Sequence, residues 1–227
     1  MIQRSTNPDP YIGHPRRRRN QGRCLAAALG LCLTLLSPVP ALAAEPVVVA
    51  FGDSLTAGLG LSQRDAFPAV LERRLRQDGI QVRVRNAGVS GDTTAGGRSR
   101  LDWTLQGPVD LVILELGAND ALRGVPAEAA KRNLDAILGR LASKGIPVLL
   151  AGMRAPPNHG RDYVRAFDAI FPALAAKHEV PLYPFFLAGV AARPGLNQQD
   201  GLHPNAEGVS RIVEGILPHV KLALAGR

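Results

Sequence analysis

Short β-branched runs alternate with longer stretches of helical spacing along this chain, and that alternation narrows the folds open to it. Pro46 to Phe51 (PVVVAF) is a compact apolar run of the kind a strand buried on both faces requires. Phe67 to Arg76 follows, with apolar residues at 67, 70, 71 and 75, the spacing of a helix with one buried face. Val82 and Val84, interleaved with arginines, mark a second strand, and Asp110 to Leu116 (DLVILEL) a third. Ala127 to Ser143 predicts a helix that Gly145 ends in the left-handed conformation. Ile146 to Ala151 reads as a fourth strand, Tyr163 to Lys177 as one helix, and Val180 to Tyr183 as a short fifth strand. Asn205 to Leu224 closes the chain as a helix with a bend at Pro218. Strands separated by helices of this length imply right-handed crossovers and a parallel sheet of about five strands, covered by helices on both faces: a three-layer α/β/α domain. Ligands of such sheets bind at the carboxyl ends of the strands. Ser54, Asn86-Ala87-Gly88 and Gly117-Ala118-Asn119-Asp120 follow the first three strands and so open onto that one edge.

The formal charge of +8 suggests a nucleic-acid or membrane-surface partner until its distribution is considered. Arg16 to Arg19 and Arg23 precede Leu25 to Leu36, a largely apolar run of 12 residues, and Ala41-Leu42-Ala43 is a small-x-small cleavage site. These are the three parts of an export signal, with cleavage expected after Ala43 and a periplasmic or secreted mature protein. The run is short for a membrane span, which needs about 20 residues. An uncleaved N-terminal anchor is the alternative. Residues 1–43 carry six arginines and one aspartate, so a domain spanning 44–227 has a net charge of +3 and no basic signature for nucleic acid. Cys24 and Cys32 both lie in the signal, which excludes cysteine catalysis and zinc-thiolate sites from the remainder.

A serine hydroxyl becomes a useful nucleophile only when a base takes its proton. Four histidines lie beyond the signal, at 159, 178, 203 and 219. Only His203 has a carboxylate at a telling distance, in Asp200-Gly201-Leu202-His203-Pro204. An Asp three residues before a His can hold the imidazole Nδ1–H and leave Nε2 free to face a hydroxyl, as a serine triad requires. Ser54, His203 and Asp200 are therefore the candidate nucleophile, base and orienting acid. The Ser54 N–H, the Gly88 N–H and the Asn119 carboxamide are candidate donors to a developing oxyanion. Each piece also has a plainer use. Ser54 or Asp53 suits a helix cap, Asp120 suits a loop tether, and His159 is either a substrate contact or a loop residue. The sequence has no G-x-S-x-G elbow, no P-loop and no H-E-x-x-H. No metal or cofactor is expected, and a chelator should leave activity unchanged.

Four blocks now stand in order: Gly52-Asp53-Ser54-Leu55, Asn86-Ala87-Gly88-Val89-Ser90-Gly91-Asp92, Gly117-Ala118-Asn119-Asp120 and Asp200-Gly201-Leu202-His203-Pro204. Together they resemble the SGNH, or GDSL, hydrolase family across roughly residues 46 to 220. The segments Glu115 to Gly124, Arg154 to Asn158 and Tyr183 to Phe186 are similar to loops of its bacterial periplasmic acyl hydrolases. That resemblance implies a flavodoxin-like domain without a lid, most simply a monomer. It also implies a small-molecule acyl substrate, whether thioester, aryl ester or lysophospholipid, with an acyl-enzyme intermediate. Asp120, Leu122, Arg123, Pro156 and Pro157 become candidate substrate contacts, and the segment from Asp120 to Val125 a candidate mobile one. Deacetylation of carbohydrates is an alternative activity within the family. A non-catalytic ligand-binding module is the alternative outside it.

Overall fold

The computed structural model describes residues 45–226; the expected export signal and cleavage site lie outside them. Five strands form one sheet: β1 (Val47–Gly52), β2 (Arg83–Gly88), β3 (Leu111–Glu115), β4 (Val148–Ala151) and β5 (Leu182–Tyr183). All neighbours are parallel, in the order β2-β1-β3-β4-β5. The central strands are apolar throughout because both their faces are covered. Val48 to Phe51 and Leu111 to Leu114 have no exposed surface. Truncating one such side chain to alanine costs roughly 2–5 kcal/mol. The edge strand β2 alternates instead, with Arg83 exposed and Val84 buried.

Helices α2 (Phe67–Gln77) and α8 (Ala206–Ala225) pack against each other, as do α3 (Thr94–Thr104), α5 (Ala127–Ser143) and α7 (Ile170–His178), giving the two outer layers. Along α8, Val209, Ile212, Val213, Ile216, Val220 and Leu224 recur at helical spacing and are buried. This helix runs unbroken across Pro218, and the Asn205 side chain caps it by accepting the Gly208 N–H at 2.9 Å.

Two elements differ from the sequence expectation. The single helix expected over residues 163–177 is two, α6 (Arg161–Asp168) and α7, parted at Ala169. Pro172 has no N–H to give the Asp168 carbonyl one turn back, which weakens the helix at this point. Helix α3 was not foreseen, because Gly96-Gly97 and a run of polar residues blur its periodicity.

The strand order locates the site. From β1 the chain moves outward to β2, then crosses back to place β3 on the other side of β1. The connections therefore diverge between β1 and β3, and a crevice opens at their carboxyl ends. Two very short helices begin there, α1 (Ser54–Ala57) after β1 and α4 (Ala118–Leu122) after β3.

Candidate active site

Ser54 is the first residue of α1, one step beyond Asp53, whose side chain caps the turn by accepting the Leu55 N–H at 2.9 Å. Glu115, in register with Gly52 across the β1–β3 pair, holds this corner from beneath. Its Oε2 accepts from Thr56 Oγ1 at 2.8 Å and from the Asp53 N–H at 3.3 Å. Both carboxyl groups are fully buried. Burial pushes Asp53 up to about 6, against the opposing pull of the Leu55 N–H and the Asn119 amide. Burial first, and then the charge of Asp53, hold Glu115 well above the usual carboxylate range. The pair thus resists carrying two charges.

His203, the candidate base, lies far along the chain on the loop that leads into α8. There Gln198 N–H donates to the His203 carbonyl at 2.7 Å. Asp200 Oδ1 accepts the Leu202 and His203 N–H groups at 2.9 and 3.0 Å. The other oxygen, Oδ2, lies 2.6 Å from His203 Nδ1. The His203 N–H, the imidazole and the Leu202 N–H push the Asp200 carboxyl down to about 2. An ionised carboxylate only accepts, so Nδ1 carries the proton and Nε2 is left as an acceptor. Nε2 lies 3.0 Å from Ser54 Oγ, within hydrogen-bonding reach. Gln198 ties the two halves together, its Nε2 donating to the Leu59 carbonyl at 2.7 Å and to the Pro204 carbonyl at 3.0 Å. Sequence reasoning missed Gln198, since nothing in its neighbours announces a contact 139 residues away.

The remaining histidines are otherwise engaged. His178 meets Asp135 at 2.6 Å, His219 packs on Tyr183, and His159 packs on Tyr163. Among the described residues no group of three or more His, Cys, Asp and Glu is placed to hold a metal ion.

Asn119 lies in α4 and donates its Nδ2 to Asp53 Oδ2 at 3.3 Å, beside the nucleophile turn. Gly88 does not meet the expectation placed on it. Its N–H donates to Asn86 Oδ1 at 3.0 Å and is not free for an oxyanion. It is glycine for another reason: a Cβ there would stand 2.2 Å from the Ala57 nitrogen, so only glycine lets β2 lie against α1. Three residues on, Gly91 adopts φ 79°, and its N–H has no partner among the described residues. Arg123 Nη2 donates to the Gly91 carbonyl at 3.0 Å and reaches Asn119 Oδ1 at 3.5 Å, which fixes this peptide beside the carboxamide.

A cavity of about 360 Å³ opens from Ser54, Asn119 and His203. Its far walls are mainly apolar, with Leu122, Met153, Pro156, Pro157, Phe185 and Leu187 among them. Of the candidate substrate contacts, Leu122, Pro156 and Pro157 line this cavity. Asp120 and Arg123 are not among the cavity walls. Asp120 is buried and accepts the Thr94 N–H and Oγ1–H at 2.8 and 2.6 Å, tethering the start of α3. Met153, Phe185 and Leu187 went unrecognised because single apolar loop residues look like core in a sequence. A larger depression of about 570 Å³ lies over α2 and β2, between Arg64, Glu72, Arg73 and Arg76, but has no nucleophile–base pair.

These features fit the comparisons with known proteins. Residues 50–211 match the GDSL-like lipase/acylhydrolase family, and the chain belongs to it. Esterase TesA of Pseudomonas aeruginosa is 40% identical over 197 residues, 86% of this chain and 98% of the relative. The Escherichia coli K12 protein named thioesterase 1/protease 1/lysophospholipase L1 is 40% identical over 166 residues, 73% of this chain and 78% of the relative. The crystal structure of AlinE4, an SGNH-hydrolase family esterase, superposes with a TM-score of 0.68 at 49% identity, covering 81% of this chain and 99% of its own. The protein is a carboxylic ester hydrolase of the SGNH type.

Proposed function

We propose that this protein hydrolyses single-chain acyl esters and thioesters (aryl esters, acyl-thioesters and lysophospholipids) through a Ser54 acyl-enzyme. The observation that carries the proposal is the relay from Ser54 Oγ to His203 Nε2 at 3.0 Å and from His203 Nδ1 to Asp200 at 2.6 Å. In the first step His203 takes the Ser54 proton as Oγ attacks the carbonyl carbon. The imidazolium then gives that proton to the departing alcohol or thiol. In the second step His203 deprotonates a water that attacks the acyl-enzyme, and returning the proton to Oγ frees the acid.

The oxyanion sits against the Ser54 N–H, the Asn119 Nδ2–H and the Gly91 N–H, which takes the role that sequence reasoning assigned to Gly88. Loss of one such donor typically lowers the rate by roughly 10²–10³. The acyl chain occupies the apolar cavity that begins at Ser54, which favours a single aliphatic or aromatic acyl group over an acetylated sugar. Residues 1–43 direct export and are removed after Ala43, so the mature enzyme acts in the periplasm or outside the cell; its form there is a monomer. Sequencing the exported protein from its N-terminus should begin at Ala44.

Fluorophosphonate labelling tests the central claim. A single adduct on Ser54, absent in Ser54→Ala, is expected; an unlabelled protein, or one labelled elsewhere, overturns the proposal. Running acyl-thioesters, aryl esters and lysophospholipids of graded chain length beside the same control then ranks the substrates.

A further inference from the structure

Six large apolar side chains are well exposed among the described residues: Leu59, Val89, Trp103, Leu122, Leu202 and Leu222. Apolar residues scattered singly over a surface carry no message, whereas a gathered set does. Trp103 and Leu222 stand singly, late in α3 and α8. The other four surround the nucleophile turn, and each comes from a different connection. Leu59 follows α1, its N–H donating to the Ser54 carbonyl at 3.1 Å. Val89 follows β2, its N–H donating to the Gly52 carbonyl at 3.1 Å. Leu122 lies in α4, and Leu202 immediately precedes His203; both line the cavity with Ser54. Their exposures run from 46% to 51%. Only Leu122 and Leu202 are accounted for by the cavity; Leu59 and Val89 stand outside it.

The charges on these loops are unevenly matched. Asp92 is paired with Arg100 at 2.7 Å, Asp120 is buried against Thr94, and Asp200 keeps its charge but turns Oδ2 to His203 at 2.6 Å. Among the exposed cations with no salt-bridge partner in the described residues, two stand beside the cavity. Arg123 adjoins Leu122, and Arg154 lies 5.0 Å over the Phe185 ring at the cavity wall. An apolar ring flanked by unpaired guanidinium groups complements a surface that is acyl-rich and negatively charged.

We infer that the carboxyl edge of the sheet docks on an anionic lipid surface, with Leu59, Val89, Leu122 and Leu202 entering the acyl boundary and Arg123 and Arg154 meeting the headgroups. The cavity mouth at the centre of the ring then opens into the layer that supplies its acyl chains. This inference rests on the hydrolase reading of Ser54 and His203, and concerns how substrate reaches them. Ring and cations together give weak, reversible, salt-sensitive attachment, since four partly exposed side chains fall far short of an anchor.

The test uses the purified protein with vesicles of phosphatidylglycerol and phosphatidylcholine, or of phosphatidylcholine alone, read by co-sedimentation. Binding to the anionic vesicles is expected, with about tenfold less on the neutral ones and release at high salt. Leu59→Ser/Val89→Ser, which alters neither the cavity nor the relay, should cut anionic binding about tenfold while turning over a short, water-soluble ester at the normal rate. A wild-type protein inactive on that ester sinks the hydrolase reading alone. Absent or charge-independent vesicle binding, or binding unchanged in the double variant, sinks the docking inference alone. A vesicle-free dimer in sedimentation velocity that the double variant dissolves would assign the ring to a second copy of the chain and also overturn it. If the double variant misfolds, Val89→Trp decides: its added fluorescence should shift to the blue with anionic vesicles, and an unchanged spectrum counts against docking.

Discussion

Two aspartates stand at opposite ends of the Ser54–His203 contact, and they differ in nearly every respect. Asp53 is walled in at the end of β1, above Glu115, and its carboxyl is pushed up to about 6. Asp200 sits on a surface loop, where two backbone N–H groups and the imidazole push it down to about 2. Position in the sequence motif does not separate their roles, since both lie within three residues of a reacting group. Environment does: a charge stabilised by aimed donors can steer a histidine, whereas a charge resisted by burial suits a structural joint. The Ser54 corner is thus built for fixity, and the His203 loop for electrostatics.

That contrast can be broken at either end. Asp200→Asn should have the largest effect, lowering kcat by up to roughly 10⁴ with the fold intact, as loss of the correct tautomer does in serine triads. Steady-state kinetics beside a thermal melt would check it, and a drop of only a few fold would mean that Asp200 does not set the tautomer of the ring. Glu115→Ala should strike the fold instead. It strands the Thr56 hydroxyl and the Asp53 N–H and leaves a void, at about 2–4 kcal/mol in urea unfolding. Glu115→Gln, which keeps an acceptor for both, should recover most of that loss. Gln198→Ala severs the tie between the two regions and should reduce kcat roughly tenfold with a KM change under twofold, because a small misplacement of the base is costly.

The smallest effect is a slope. Because folding raises the Asp53 value, the stability it favours is present below its ordinary value of 3.8 and is lost as pH rises through about 6. Asp200 behaves oppositely, contributing above 3.8 and failing as pH falls towards about 2. Asp53→Asn should therefore gain stability relative to the parent between about pH 4 and 6, by chemical denaturation at each pH. Parallel curves would show that the burial of Asp53 carries no electrostatic cost.

Much of this was legible in the amino-acid order. The five strands follow from β-branched runs, Ser54 and Asn119 from residue types at strand ends, and the Asp200–His203 contact from a three-residue spacing. What escaped has identifiable causes. Gly88 and Gly91 lie three residues apart in one block, and composition cannot say which amide is consumed by Asn86. Asp120 suits both a loop tether and a substrate contact, and only Thr94 seen against it decides for the tether. Pro172 was passed over inside an otherwise regular helical pattern, and Glu115 was counted as part of a strand. In each case the deciding fact is a contact between segments, which one-dimensional patterning does not contain.

The 149 residues that separate Ser54 from His203 have a consequence for biogenesis. The hydroxyl is made early, and its partner arrives only with the loop that seats the last helix. Pairings this distant close late in folding, so a chain still emerging, or clipped ahead of residue 198, holds a hydroxyl that nothing activates. Turnover of an ester then serves as a report that the final segment has come home.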